Sequence, residues 1–165
     1  VYAHPFENRG EAAGVTLHHP HGQIYALPFV PPVQTQAASA FQADAHVLAT
    51  AIAANPDLVL AEHNGLVAFC PDFGLFAYEI WIAPREPRAG LWVLDRAERA
   101  ALASLLGRVA AAYDALFDQP MPYMMAVQSA PPRFEAVWHM HVTFQPFLRA
   151  AERLVHPQTR PRHDH

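Results

Sequence analysis

The sequence predicts an α+β fold: an antiparallel sheet with helices packed on it. Three observations carry that expectation. Asn64-Gly65 lies between two short apolar runs, Leu58 to Glu62 and Leu66 to Cys70, and Asn-Gly between such runs is a strong hairpin signal. From Asp95 to about Phe117, Leu102, Leu105, Leu106, Val109, Tyr113 and Leu116 recur at helical spacing and give a long helix one apolar face. Two further runs, Tyr123 to Gln128 and Val137 to Gln145, then read as strands. Hairpin, strand, long helix and two strands in that order make an α+β pattern.

In chain order, Val1 to Glu7 alternates as a strand, and Asn8-Arg9-Gly10 reads as a turn. Gly14 to Tyr25 follows as an extended segment. Alternation puts His19, His21, Gln23 and Tyr25 on one face, with Pro20, Gly22, Ile24 and Ala26 on the other. Pro20 has no N–H and fixes φ, so the segment is an edge or opening strand with a stiff start. Prolines 28, 31 and 32 close it. Val33 to Ala54 is Ala-rich, carries Phe41, Val47, Leu48 and Ile52, and reads as one helix ended by Asn55-Pro56. Pro71 to Leu75 reads as a loop and Tyr78 to Ala83 as a strand stopped by Pro84. Asp95-Arg96-Ala97-Glu98 has the pattern of a capping box opening the long helix.

A chain of 165 residues with 52% hydrophobic and 16% charged residues buries a core and is globular rather than disordered. The net charge of −4, with no basic run, leaves nucleic-acid binding without an electrostatic footprint. The one cysteine, Cys70, allows no internal disulfide and no thiolate-rich metal site, and fits a reducing, cytoplasmic setting. No run reaches the roughly 18 apolar residues of a membrane span. The first residue, Val1, falls inside an expected strand, which fits a fragment, half of a split enzyme or a non-standard start.

Phe6-Glu7-Asn8-Arg9-Gly10, then Gly14, then His19-Pro20-His21-Gly22-Gln23-Ile24 resemble the galactose-1-phosphate uridylyltransferase family, a branch of the histidine-triad (HIT) superfamily. The likeness continues more weakly to about Arg149, and a long N-terminal portion of the family has no counterpart. The resemblance implies a HIT-like domain whose antiparallel sheet forms a half-barrel with helices packed on it, preceded by the terminal strands of another such domain. On that reading residues 1–32 end a first HIT-like domain and carry the His-Pro-His-Gly-Gln strand. Residues 33–149 form a second, and 150–165 are a C-terminal tail.

The resemblance also implies the roles. His21 attacks the α-phosphorus of UDP-glucose and becomes uridylylated; a neutral imidazole is a good nucleophile near neutral pH, and a covalent intermediate divides one hard displacement into two easier ones. Gln23, on the same face, donates an amide N–H to a phosphoryl oxygen without adding charge. Asn8, Gly14, Val15 and Thr16 match positions that contact the nucleotide sugar; Thr16 keeps the hydroxyl of the usual serine, and Val15 stands where many members have cysteine. Glu7 precedes Asn8 as in the family, and equally reads as a turn-stabilising carboxylate. His19 matches a structural zinc ligand whose companions lie in the portion this chain lacks, so zinc at His19 is conditional on them; orienting the nucleophile loop is the equal alternative.

A second constellation is Trp138-His139-Met140-His141-Val142-Thr143-Phe144. Alternation puts His139, His141 and Thr143 on one face and Trp138, Met140, Val142 and Phe144 on the core face. The pair resembles the second metal site of some members, whose other two ligands fall here near Ala37 and at Gln128. Two imidazoles alone make a poor site, so loss of this metal is expected, with His139 and His141 kept as a hydrogen-bonded polar seam. Beyond Pro146-Phe147-Leu148-Arg149, the sugar-contacting segment of the family is replaced by Ala150 to His165.

The function this implies is ping-pong UMP transfer between UDP-glucose and a hexose 1-phosphate. It is expected to need a homodimer or a second chain that carries the first domain. Two alternatives stand beside it: another HIT-type nucleotidyltransferase or phosphorylase, and a non-catalytic nucleotide-binding remnant.

Overall fold

In the computed structural model, residues 1–15, 21–116 and 119–147 are described. They form one antiparallel sheet of seven strands and three α-helices, so the α+β expectation holds. The strands are β1 (Tyr2–Arg9), β2 (Gly22–Leu27), β3 (Val59–His63), β4 (Leu66–Phe69), β5 (Ile80–Pro84), β6 (Tyr123–Gln128) and β7 (His141–Pro146). The helices are α1 (Pro32–Ala43), α2 (Val47–Ala54) and α3 (Arg96–Leu116). The sheet order is β2-β1-β6-β7-β5-β4-β3. The N-terminal hairpin β1–β2 thus joins the body of the sheet through β6, with Phe6 opposite Ala126 and Arg9 opposite Tyr123.

Local chemistry accounts for the elements that were legible. Asn64 and Gly65 both take positive φ, 44° and 75°, the requirement of the two-residue turn whose twist matches its flanking strands. At the start of α3, the Glu98 N–H donates to Asp95 Oδ1 (2.8 Å) and the Asp95 N–H donates to Glu98 Oε2 (2.9 Å). That reciprocal pair satisfies two donors that the first turn leaves unpaired. The buried residues of α3 are Ala101, Leu102, Leu105, Val109 and Tyr113, the stripe read from the periodicity.

Several boundaries differ from the sequence reading. Asn8 and Arg9, read as a turn, extend β1 because they pair with Met124 and Tyr123. Gly14, read as extended, closes a 3-10 turn, and β2 begins at Gly22. Residues 33–54 form two helices, because the Asp44 carboxylate accepts the His46 N–H at 2.8 Å; this local turn competes with the helical ladder. The strand expected from Tyr78 begins at Ile80, since Tyr78 sits at φ 63°. The strand expected from Val137 begins at His141. Before it the chain folds into a turn in which Phe134 O accepts the N–H groups of Val137 and Trp138, and the Met140 N–H reaches across to Arg88 O.

The sheet is covered on both faces over its central strands. α3 lies on one face, with Tyr113 against Phe144 and Tyr123 at ring separations of 6.0 Å each. α1 and α2 lie on the other, where Phe41 meets Trp138 edge-on at 5.1 Å. His141, Val142, Thr143 and Phe144 are consequently all buried. β2 and β3 are the edge strands, and β2 is largely exposed. No helix of the described residues is long and apolar enough to cross a membrane.

Candidate active site

The site grows from the β1–β2 hairpin. Gly10 ends the Phe-Glu-Asn-Arg-Gly run at φ 84°, and a Cβ there would lie 2.8 Å from Pro122 Cβ. Glycine is therefore required twice, by conformation and by space. The preceding Arg9 is a tether: its Nη2 donates to Asp114 Oδ2 of α3 at 2.9 Å. Its guanidinium also lies over the Tyr123 ring, 5.6 Å from the centroid. These contacts pin the end of β1 to the long helix, and the Asp114 bond raises the arginine pKa further above its ordinary value.

Strand register decides what faces what. Gly22 pairs with Glu7, Gln23 with Phe6 and Tyr25 with His4. Side chains of directly paired residues emerge on the same side. Gln23 and Tyr25 therefore share a face with His4, Phe6 and Asn8, and His21 continues it by alternation. Glu7 lies on the opposite face with Gly22. Gln23 is exposed, His21 half-buried, and Tyr25 52% exposed, so this face is open to a ligand. Phe6 packs edge-on against Tyr25 at 4.8 Å. His4 stacks between Tyr2 and Phe6, and burial lowers its pKa. Gly14 takes φ 83° and closes a single 3-10 turn, Glu11–Ala13; Val15 beside it is half-buried. Thr16 and His19 lie outside the described residues, as does the tail from residue 148.

The second histidine pair has a different setting from the one read off the sequence. His139 precedes β7 and is fully buried. Its Nε2 lies 2.6 Å from the Pro84 carbonyl, and its Nδ1 has no hydrogen-bond partner. His141 Nδ1 lies 3.0 Å from the His139 carbonyl. A carbonyl only accepts, so His139 carries its proton on Nε2 and His141 on Nδ1. The His141 ring lies flat on Trp81, 4.4 Å away and 5° from parallel. Trp138 is on this side as well, 6.4 Å from His141, and not on the opposite face as strand alternation had placed it; the turn at 134–138 rotates it round. Burial lowers both histidine pKa values, that of His141 to about 4.

Of the two other positions considered for metal, Ala37 offers no donor, and the Gln128 carboxamide accepts from Gln34 Nε2 at 2.9 Å. Among the described residues no group of three His, Cys, Asp or Glu is placed to hold a metal ion. The residues present do not fit a closed four-ligand site.

A seven-stranded antiparallel sheet with helices on both faces is an architecture shared with solved uridylyltransferase structures. One matches with TM-score 0.81 and 30% identity, over 90% of this chain and 49% of that one. The particular likeness is to galactose-1-phosphate uridylyltransferase, as the motifs had indicated. The enzyme of that name from Thermotoga maritima is 35% identical over 162 residues, 93% of this chain and 51% of its own length. A family model described as galactose-1-phosphate uridyl transferase, N-terminal domain, matches residues 2–31. An ADP-glucose phosphorylase from Arabidopsis thaliana, 23% identical with TM-score 0.77 over 90% of this chain and 50% of that one, shares the fold. The chain spans about half the length of the curated relatives it matches.

Proposed function

We propose that this chain supplies the nucleophile strand and the second HIT-like domain of a UDP-glucose:hexose-1-phosphate uridylyltransferase. A neutral imidazole nitrogen of His21 attacks the α-phosphorus. The bond from that phosphorus to the bridging oxygen breaks, and glucose 1-phosphate leaves with the electron pair. An oxygen of the acceptor's phosphate then attacks uridylyl-His21, the P–N bond breaks, and the imidazole is regenerated. Gln23 donates to the phosphoryl oxygens in both transfers, and Asn8, Gly14, Val15 and Thr16 line the nucleotide sugar. The leaving group is already good, so positioning and charge stabilisation dominate catalysis.

What supports this reading is Gln23 exposed on an edge strand, with His21 immediately before that strand, after the Gly10 turn and within sequence similar to this enzyme. In this reading residues 1–32 belong to a first HIT-like domain, 33–149 form the second, 150–165 are a tail, and the sheet is part of a half-barrel. The outer edge of β2 would receive a strand from the rest of the first domain, supplied by a homodimer or by a companion chain. A zinc site would use His19 together with ligands from that portion, and the setting is cytoplasmic.

The test is to incubate the chain with UDP-glucose, with and without a polypeptide carrying the first domain, and to map a uridylyl adduct by mass spectrometry. The expected result is an adduct on His21 with the partner, little without it, and none in His21→Ala. An adduct that persists in His21→Ala rules out the assignment. A parallel arm with ADP-glucose separates adenylyl from uridylyl transfer; adduct formation only there would move the chain to the phosphorylase alternative.

A further inference from the structure

Between the α1–α2 layer and the sheet lies a cavity of about 580 Å³, within the range of small-molecule sites. Phe41 and Leu48 roof it, Trp81 and Trp138 form aromatic walls, and His141, Thr143 and the uncharged carboxamides of Gln34, Gln36, Gln128 and Gln145 supply polar atoms. The row Gln23–Phe6–Ala126–Thr143 crosses the sheet on a single face. Three inter-strand spacings of about 4.8 Å put Thr143 roughly 14 Å from Gln23, and two put Gln145 on the cavity wall roughly 10 Å from Asn8.

The hydrogen bonds already made define what the cavity accepts. The Trp81 indole N–H donates to Glu79 Oε1 at 2.7 Å, and the Trp138 N–H donates to the Gln128 carbonyl at 3.0 Å. Neither tryptophan has a donor left for a guest. The second Glu79 oxygen takes the N–H groups of Leu75 and Phe76, at 2.8 and 3.0 Å, so the carboxylate is engaged on both oxygens. No Lys or Arg is among the described residues that line the space. His141 spends Nδ1–H on the His139 carbonyl, leaving Nε2 as an acceptor on the cavity wall. The cavity therefore selects against anions and offers an acceptor among aromatic faces.

We propose that this cavity is a binding site for an uncharged, flat, fused-ring aromatic molecule carrying one O–H or N–H, which it donates to His141 Nε2. The site does not depend on the transfer reading, and its failure would leave that reading untouched.

The experiment titrates the full chain with 2-naphthol, 2-methoxynaphthalene and 2-naphthoate. Tryptophan fluorescence reports binding, and the His141 ring nitrogen signals report the contact by NMR. The expected result is one 2-naphthol bound with a displaced His141 Nε2 signal, the methoxy analogue about tenfold weaker, and no binding of the carboxylate. His141→Phe should bring 2-naphthol down to the level of the methoxy analogue. Ala37→Leu, which fills the cavity, should abolish binding. Absence of 2-naphthol binding overturns the proposal. So does equal affinity for the two neutral probes, or binding that survives Ala37→Leu. If His141→Phe does not fold, the comparison of the two neutral probes on the native chain decides.

Discussion

Acidification should destabilise this chain chiefly through His141. The ring is buried, lies flat on Trp81 and donates Nδ1–H to the His139 carbonyl; the Glu79 carboxylate that lines the same cavity is bonded to Trp81, Leu75 and Phe76 instead. Burial lowers its pKa from 6.5 to about 4. The folded state therefore resists a proton that the unfolded chain accepts. Stability is fully present above about pH 6.5 and is lost as pH falls toward 4. Between pH 7.5 and pH 5 the difference in proton uptake amounts to about 2 kcal/mol from this one group. His139 and His4, both lowered by burial, act in the same direction. Glu62, hydrogen-bonded to Arg85, titrates below its ordinary 4.5, outside the window compared. The assay is urea unfolding at the two pH values for the native chain and for His141→Phe, which keeps a ring against Trp81 but cannot titrate. The native chain should lose about 2 kcal/mol more than the variant. An equal loss in both, or an NMR titration giving His141 an ordinary pKa, would refute the reasoning.

Three other expectations follow from the packing and the site. Leu105 of α3 is fully buried against the sheet side of the core, and Leu105→Ala should cost about 2–5 kcal/mol in urea unfolding. Asp95→Ala removes one half of the capping box at the start of α3 and should cost about 1 kcal/mol by the same measurement, with no change in m-value. On the proposed transfer reading, Gln23→Ala with the partner present should lower kcat about a hundredfold by stopped-flow turnover while leaving folding unchanged, since Gln23 is exposed.

The sequence determined what depends on neighbours a few residues away. Asn64-Gly65 dictated its hairpin because few other residues tolerate two successive positive φ angles. Asp95 and Glu98 marked the start of α3, and the leucine spacing marked its buried stripe. Alternation along β2 placed Gln23 and Tyr25 on one face before any pairing was known, because a strand's period of two needs no partner. Only the tertiary structure decided the rest. That β1 pairs with β6, that Arg9 is spent on Asp114, and that Trp138 joins His141 against Phe41 all depend on segments distant in the chain. The break at Asp44 and the late start of β7 also escaped, because a side-chain hydrogen bond and a turn at 134–138 overrode an otherwise periodic pattern. The cavity beside His141 was illegible for the same reason: space left between a helix layer and a sheet is set by how two surfaces meet, and no local period encodes that distance.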